Sequence, residues 1–231
     1  MELSKRLSAV AAMVLPCASM ADIGTDHGYL PIELVKNGTV GSAYACDVRT
    51  GPLSRAEAHI RREGLSDRIG TVLSDGLEAL PAPVDTVVMA GMGGALMAEL
   101  LSSAKAQAPL IRANAARFVL QPQSEPELVR KAVYDLGLHI EREDMVLDRG
   151  KYYLILAAVP GRVEREAASL RFGTYLSENR HPVFREYLEK ELQKNKNLSA
   201  KLSNRDSEAS RARVSALSEE AQAIEKELAK W

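Results

Sequence analysis

The stretch ADIGTDHGYL, residues 21–30, decides how this chain is read. An apolar run enters it from Met20. Glycine and polar residues follow, and YLPIELVKNG (29–38) then continues at helical spacing until Gly38. Strand, glycine turn and helix start are the opening of a nucleotide-binding α/β domain. The glycine spacing is not that of a dinucleotide site, because Asp26 stands where G-x-G-x-x-G places its second glycine. A pyrophosphate would lie at the helix N-terminus, against the backbone of this turn, and a carboxylate there repels it. No G-x-x-x-x-G-K-[ST] segment occurs, which removes the P-loop option separately.

Outward from this turn, strand and helix patterns alternate. Leu3–Val14 carries Leu7, Val10, Ala11 and Val14 at helical spacing. Strands are expected over 20–24, 42–48, 69–75, 84–94 and 117–122. Helices are expected over 29–38, 51–65 (with Pro52 in its first turn and Gly64 at its end), 95–106 and 126–137. HIEREDMVLDRGKYYLILAAVPG (139–161) reads as two antiparallel strands turning near Arg149-Gly150. Continuous apolar strands between helices predict an α/β fold, a mostly parallel sheet covered on both faces. A closing antiparallel hairpin is the topology of the class I methyltransferases, a Rossmann-like sheet with an antiparallel last strand.

After Gly161 strand patterns cease, so the expected domains are 1–161 and 162–231. Leu188, Leu192, Leu198 and Leu202 form a loose helical stripe. Val214, Leu217, Ala221, Ile224 and Leu228 follow a heptad. The tail is expected to be a coiled-coil-like helical hairpin, with one continuous dimerising helix as the alternative. Whether the protein is a monomer or a dimer stays open.

The composition is that of an ordinary globular protein. The chain has 231 residues, 46% hydrophobic and 26% charged, with a net charge of -1. A nucleic-acid site must therefore be a local patch. Cys17 and Cys46 lack a C-x-x-C partner, and the four histidines show no metal-ligand spacing, so neither a disulfide framework nor a metal is expected. Leu7–Met20 is apolar, but it is short, broken by Pro16, and runs straight into the first strand. It reads as an amphipathic helix rather than a signal or a membrane span, and the expected location is the cytoplasm.

A ligand with a cationic amino-acid end suits the turn. S-adenosylmethionine has an ammonium and a sulfonium and no phosphate. Asp22 and Asp26 favour it, and Gly24 and Gly28 keep the nearby backbone bare; on this reading the charge of Asp26 selects the ligand class. The plain alternative is that Asp26 caps the helix. Asp47 ends the second strand about twenty residues after Gly28, the spacing at which an acid accepts the ribose hydroxyls of a nucleoside. Asp75 ends the third strand and can accept an adenine amino group, with Gly76 letting the ring approach. Each acid alone is often a strand-end cap; three in succession on one edge form a constellation. Val48, His27 and Ala90 belong to the same edge.

The fourth strand ends in MAGMGG (89–94). It lacks the N-P-P-Y-like segment of many methyltransferases that act on base or amide nitrogens. Gly91 and Gly93 leave backbone carbonyls beside the expected methyl group, and Met92 can pack on a base. A plain strand-to-helix turn explains these glycines equally well. Tyr29 can stack on a base or simply pack.

Together, LSKRLSAVAAMV, ADIGTDHGYLPIEL, ACDVRTGPL, SDGLEAL, VVMAGMGG, QPQ and RGKYYLI resemble the bacterial tRNA adenine-22 N1-methyltransferase family over essentially the whole chain. The resemblance implies methyl transfer from S-adenosylmethionine to N1 of an adenine in the D-arm region of tRNA. It also implies a Rossmann-like domain joined to a coiled-coil-like one. Neutral adenine N1 already carries a lone pair, so alignment rather than a general base is expected to do most of the work. Asp26, Gly91, Met92 and Gly93 are the expected positioning groups. N1 lies on the pairing edge, so the base must leave its stack and the RNA must be gripped elsewhere. Arg180, Arg185, Lys190, Lys194, Lys201 and Arg205 are the candidates, although interleaved glutamates also fit a solvated helix surface. Two rival readings are a class I methyltransferase with another substrate and a non-catalytic cofactor-sensing protein.

Overall fold

The computed structural model describes residues 2–103, 117–161, 167–204 and 207–231. The chain falls into two compact units, Met1–Arg171 and Phe172–Trp231. The boundary expected after Gly161 adjoins residues 162–166, which lie outside the described residues.

The first unit begins with α1 (Lys5–Met13), whose N-cap Ser4 accepts a hydrogen bond from the Leu7 amide. There follow β1 (Cys17–Ile23), α2 (Tyr29–Lys36), β2 (Val40–Asp47), α3 (Thr50–Arg62) and β3 (Ile69–Leu73). Then come β4 (Thr86–Met92), α4 (Gly94–Ser103), β5 (Arg117–Pro122), α5 (Pro126–Asp135), β6 (Leu138–Asp148), β7 (Lys151–Pro160) and α6 (Ala167–Phe172). The seven strands lie in the order β3-β2-β1-β4-β5-β7-β6. The first five are parallel, and β7 runs antiparallel to both β5 and β6. This is the Rossmann-like methyltransferase sheet with its antiparallel closing hairpin.

The sheet is buried on both faces, and its side chains sort with a period of two. Val88, Val119, Ile155 and Ala157 join one cluster with Val10, Met13 and Val14 of α1, Ile32 and Val35 of α2 and Ile60 of α3. Their alternating neighbours Val87, Met89, Phe118, Leu120 and Leu156 are as deeply buried and point the other way. The apolar stretch that could pass for a leader is thus a core helix plus the start of a strand. β1 begins three residues before Met20, because Cys17 pairs with Val40 and the Asp85 carboxylate accepts from the amides of Ala18 and Ser19. β3 ends two residues short of Asp75. There the Ser74 hydroxyl donates to the Gly76 carbonyl and accepts from the Ala79 amide, turning the chain out of the sheet. The helix expected over 95–106 is described to Ser103; its last three residues lie outside the described residues.

In the second unit, α7 (Tyr175–Glu178) precedes α8 (Pro182–Leu202) and α9 (Glu208–Leu228), which pack on each other as a hairpin. Pro182 occupies the first turn of α8, and Ser207 caps α9 by accepting from the Ser210 amide. Leu188 of the α8 stripe is buried, as are Leu217 and Ile224 of the α9 heptad, while Val214, Ala221 and Leu228 are half-buried. Asn195 takes a buried place in α8 and donates to Glu220, a polar tie inside the apolar seam.

Candidate active site

In a doubly wound sheet, ligands bind outside the C-terminal strand ends where the order of strands reverses. Here that point lies between β1 and β4. The turn after β1 is held by the amides of Gly24 and Thr25, which both donate to the Cys46 carbonyl at 2.8 Å. Gly24 has φ 79, a left-handed conformation that a larger residue adopts only under strain. A cavity of about 490 Å³ opens over this turn. Its lining includes Asp22, Gly24, Thr25, Asp26 and Ala90, with Arg6 from α1.

Asp22 gives the cavity its charge. The residue is buried at the end of β1, and burial pushes its carboxyl up to about 6, against the opposing pull of Thr25 and Arg6. No ion pair or hydrogen bond of ordinary geometry to a described residue satisfies this carboxylate. The neighbouring Thr25 hydroxyl is buried and likewise lacks a hydrogen-bond partner among the described residues. A buried polar group left this way costs free energy until it is paired, and a ligand in the cavity would pair it. Arg6 supplies the opposite charge. Its Nη1 donates to Gln121 Oε1 at 2.7 Å, its amide to Asp148 at 3.0 Å, and its guanidinium lies 5.6 Å from the Tyr153 ring centre. Sequence reasoning passed over Arg6 and Thr25. The only signal for Arg6 is a cation beside the apolar stripe of α1, and its partners lie more than 100 positions away in the chain.

The structure gives Asp26 a different setting from Asp22. Its side chain is 61% exposed and paired with Arg55 Nη2 at 2.5 Å and His27 Nε2 at 3.3 Å. The Arg55 hydrogen bond holds its carboxyl below the usual range. Asp26 lines the cavity, yet its charge is already answered by α3. Asp26 does not cap α2 either: the N-cap is Gly28, and no side chain bonds there. His27, Tyr29 and His59 form a stacked trio, with centroids 5.0–5.4 Å apart. Gly28 faces α3, where a Cβ would come within 3.3 Å of Ala56. Its bareness serves helix packing.

At the ends of β2 and β3 lie the nucleoside candidates. Asp47 is buried and accepts from the Arg49 amide at 2.8 Å, so one oxygen is engaged in a local turn. Next to it Val48 is 61% exposed, and Leu73 at the end of β3 is 57% exposed. Two bare aliphatic side chains flanking a buried acid make a platform for a flat apolar ring. Asp75 is exposed beyond them. Gly76 is buried, and a Cβ on it would meet Leu100 at 2.9 Å, so this glycine admits α4.

The MAGMGG segment combines a bulge with a tight helix start. The β4–β5 register shifts between Ala90 and Met92, with Gly91 at φ 88. Met92 packs toward the β1 turn, where its methyl group leaves no room for a Cβ on Gly24. A Cβ on Gly94 would lie 2.2 Å from the Ser124 carbonyl, and the Ser124 hydroxyl accepts from the Gly94 amide. Gly93 is half-buried beside Ser124, and Gly91 faces Arg6 and Gln123.

Residues 20–226 match the model of the tRNA (adenine(22)-N(1))-methyltransferase family. The Bacillus subtilis tRNA (adenine(22)-N(1))-methyltransferase is 33% identical over 202 residues, 84% of this chain and 82% of that protein. The chain belongs to this family. The crystal structure of the B. subtilis m1A22 tRNA methyltransferase superposes with a TM-score of 0.85 at 29% identity, covering 98% of this chain and 99% of that one. A Streptococcus pneumoniae relative solved with S-adenosyl-L-methionine is 33% identical, with a TM-score of 0.85 over 98% of this chain and all of that one. The methyltransferase therefore modifies N1 of adenine 22 in tRNA, and its site has to admit a base freed from pairing.

The second unit shows where the expected RNA-binding residues of the methyltransferase stand. Arg180 is exposed at φ 47. Arg185 pairs with Glu189, Lys190 with Glu186 and Lys194 with Glu191, all along one helix. Lys201 is exposed in the last turn of α8, and Arg205 lies outside the described residues.

Proposed function

We propose that the methyltransferase holds S-adenosylmethionine across the C-terminal ends of β1, β2 and β3 and receives the target adenine beside Gly91. The single observation that carries this is the buried Asp22 with Arg6 lining the same cavity. That pair fits the two ends of a zwitterionic amino acid: Asp22 takes the ammonium, with Thr25 and the Ala90 edge beside it, and Arg6 takes the carboxylate. Asp47 accepts from the ribose, Val48 and Leu73 sandwich the adenine ring of the cofactor, and Asp75 stands at its rim.

S-adenosylmethionine, when bound, supplies an electrophilic methyl on a sulfonium. The protein's own residues hold that centre and the target base in line and exclude water. N1 gives its lone pair to the new C–N bond, while the S–C bond breaks and its electrons remain on sulfur. One positive charge passes from sulfur to the adenine ring, and no proton moves. A general base is therefore unnecessary, and the negative field of Asp22 suits both the entering and the leaving cation. Contact with tRNA by the second unit fits the basic residues of α8. Among the described residues no helix is long and apolar enough to cross a membrane, and a tRNA substrate is in keeping with a cytoplasmic enzyme.

Isothermal titration tests the grip on the cofactor. Asp22→Asn is expected to weaken S-adenosylmethionine binding by about 2–3 kcal/mol, because a charge-assisted contact is lost in a buried site. Arg6→Met is expected to bind the decarboxylated analogue as well as the parent cofactor, whereas the wild type prefers the parent. Unchanged affinity in folded Asp22→Asn removes Asp22 from the site.

A further inference from the structure

The QPQ segment, Gln121-Pro122-Gln123, ends β5 next to the MAGMGG bulge, and its two glutamines are treated in opposite ways. Gln121 is fully buried. Its oxygen accepts from Arg6 and its nitrogen donates to the Pro122 carbonyl, so the amide is spent. Gln123 is exposed, and its side chain makes no hydrogen bond to any described residue. Its backbone is nonetheless fixed, because the Gln123 amide donates to the Met92 carbonyl at 2.9 Å. The next turn is rigid as well. Ser124 clamps the Gly94 amide, and Glu125 holds a left-handed φ of 49, a strain typical of functional sites.

The free amide of Gln123 lies beside Gly91. Its Nε2 is 3.8 Å from the position a Cβ would take on Gly91, and Arg6 Nη1 is 3.3 Å from the same point. Gly91 has no side chain, so the Arg6 guanidinium and the Gln123 amide both come close to its backbone, where the reacting base is proposed to sit. An amide is the side chain that matches adenine two ways at once, accepting from N6–H and donating to N7. That contact uses the edge of the ring away from N1 and leaves N1 facing the methyl donor.

We propose that Gln123 reads the target adenine through N6 and N7, and that this contact selects adenine and fixes the direction of N1. Guanine offers two acceptors on that edge and leaves the amide oxygen facing a like partner. Gln121 and Arg6 brace the strand end that carries Gln123. The inference rests on the placement of the reacting base beside Gly91.

The test uses the full chain and tRNA ligated from two synthetic halves, with adenosine or 7-deazaadenosine at position 22. 7-Deazaadenosine lacks the N7 acceptor. Its altered ring basicity affects wild type and variant alike, so the comparison isolates the contact. Beyond that shared effect, the wild type is expected to lose about tenfold in kcat/KM on the 7-deaza substrate. Gln123→Ala is expected to lose about tenfold on adenosine tRNA and to show only the shared basicity effect on 7-deaza tRNA, with unchanged affinity for S-adenosylmethionine. A wild-type rate in Gln123→Ala overturns the placement of the base beside Gly91. A slowed variant that keeps the 7-deaza penalty leaves that placement standing and overturns the reading by Gln123. A parallel loss of cofactor affinity assigns the effect to the cofactor site and overturns it too.

Discussion

Two regions of the molecule handle charge in opposite ways. At the end of β1, Asp22 is buried with no ion pair to a described residue, and its carboxyl rises to about 6. On α8, Arg185, Lys190 and Lys194 are exposed and each is matched to a glutamate three or four residues away. The first arrangement is costly without a ligand and strong with one. The second costs nothing, and its pairs are each worth at most about 1 kcal/mol. Unsatisfied charge held by a sheet marks where the molecule spends folding energy on binding. Satisfied charge on a helix surface can exchange partners with phosphate at little gain or loss. The same contrast separates Asp22 from Asp26, four residues on, whose charge Arg55 has already claimed.

The largest expected effect breaks the comparison at Asp22. The folded protein binds this proton more tightly than the unfolded chain, whose carboxyl has the ordinary value of 3.8. Ligand-free stability should therefore fall as pH rises from 3.8 through about 6 and level off above it. The penalty is on the order of 3 kcal/mol. Asp22→Asn should remove it, raising the thermal midpoint at pH 8 and leaving it nearly unchanged at pH 4. The affinity of the wild type for S-adenosylmethionine should run the other way, weakening up to tenfold per pH unit below about 6 as the carboxylate is protonated. Calorimetry across this range checks both. A flat pH profile of binding would mean that Asp22 does not meet the ammonium.

A smaller effect sharpens the other side. The combined change of Lys190, Lys194 and Lys201 to Ala should raise the KM for tRNA about two- to threefold at low salt and hardly at all near 0.3 M, because these charges act by screened contact. Methylation assays at several salt concentrations decide it. A loss beyond tenfold would mean that the glutamate pairs open fully on tRNA.

The smallest effect belongs to Asp26. Its charge is exposed and shared with Arg55, so Asp26→Asn should change cofactor affinity by about twofold or less. A loss as large as that of Asp22→Asn would place both carboxylates on the ligand and erase the contrast between them.

Much of this was legible in the sequence because it depends on local periods. Apolar runs at period two and at 3.6 set the order of strands and helices, and glycine with proline set their ends. The turn near Arg149-Gly150 marked the antiparallel hairpin. The glycine-acid turn at 21–30 pointed to the edge where the cavity lies, and Asp47 and Asp75 follow from being the residues at or just beyond strand ends. What could not be read was which carboxylate at the cavity is already paired. Asp22 and Asp26 are equivalent in sequence, and their roles diverge only when α3 brings Arg55 to one and the sheet buries the other. Gly28 and Gly76 show the same ambiguity, since Gly28 lines the cavity and also faces Ala56 while Gly76 faces Leu100, and helix packing and ligand approach demand the same missing Cβ.

The sequence by itself determined the class of fold and the kind of ligand it takes. Each is set by residue type at short range: alternation, turn chemistry and the sign of a charge. Only the tertiary structure decided that Arg6 and Asp22 line one cavity and that, among the described residues, Gln121 is spent while Gln123 is free. Those facts depend on which side chains meet across more than 100 residues of chain, and burial and pairing, not residue type, fix what a charge or an amide is free to do.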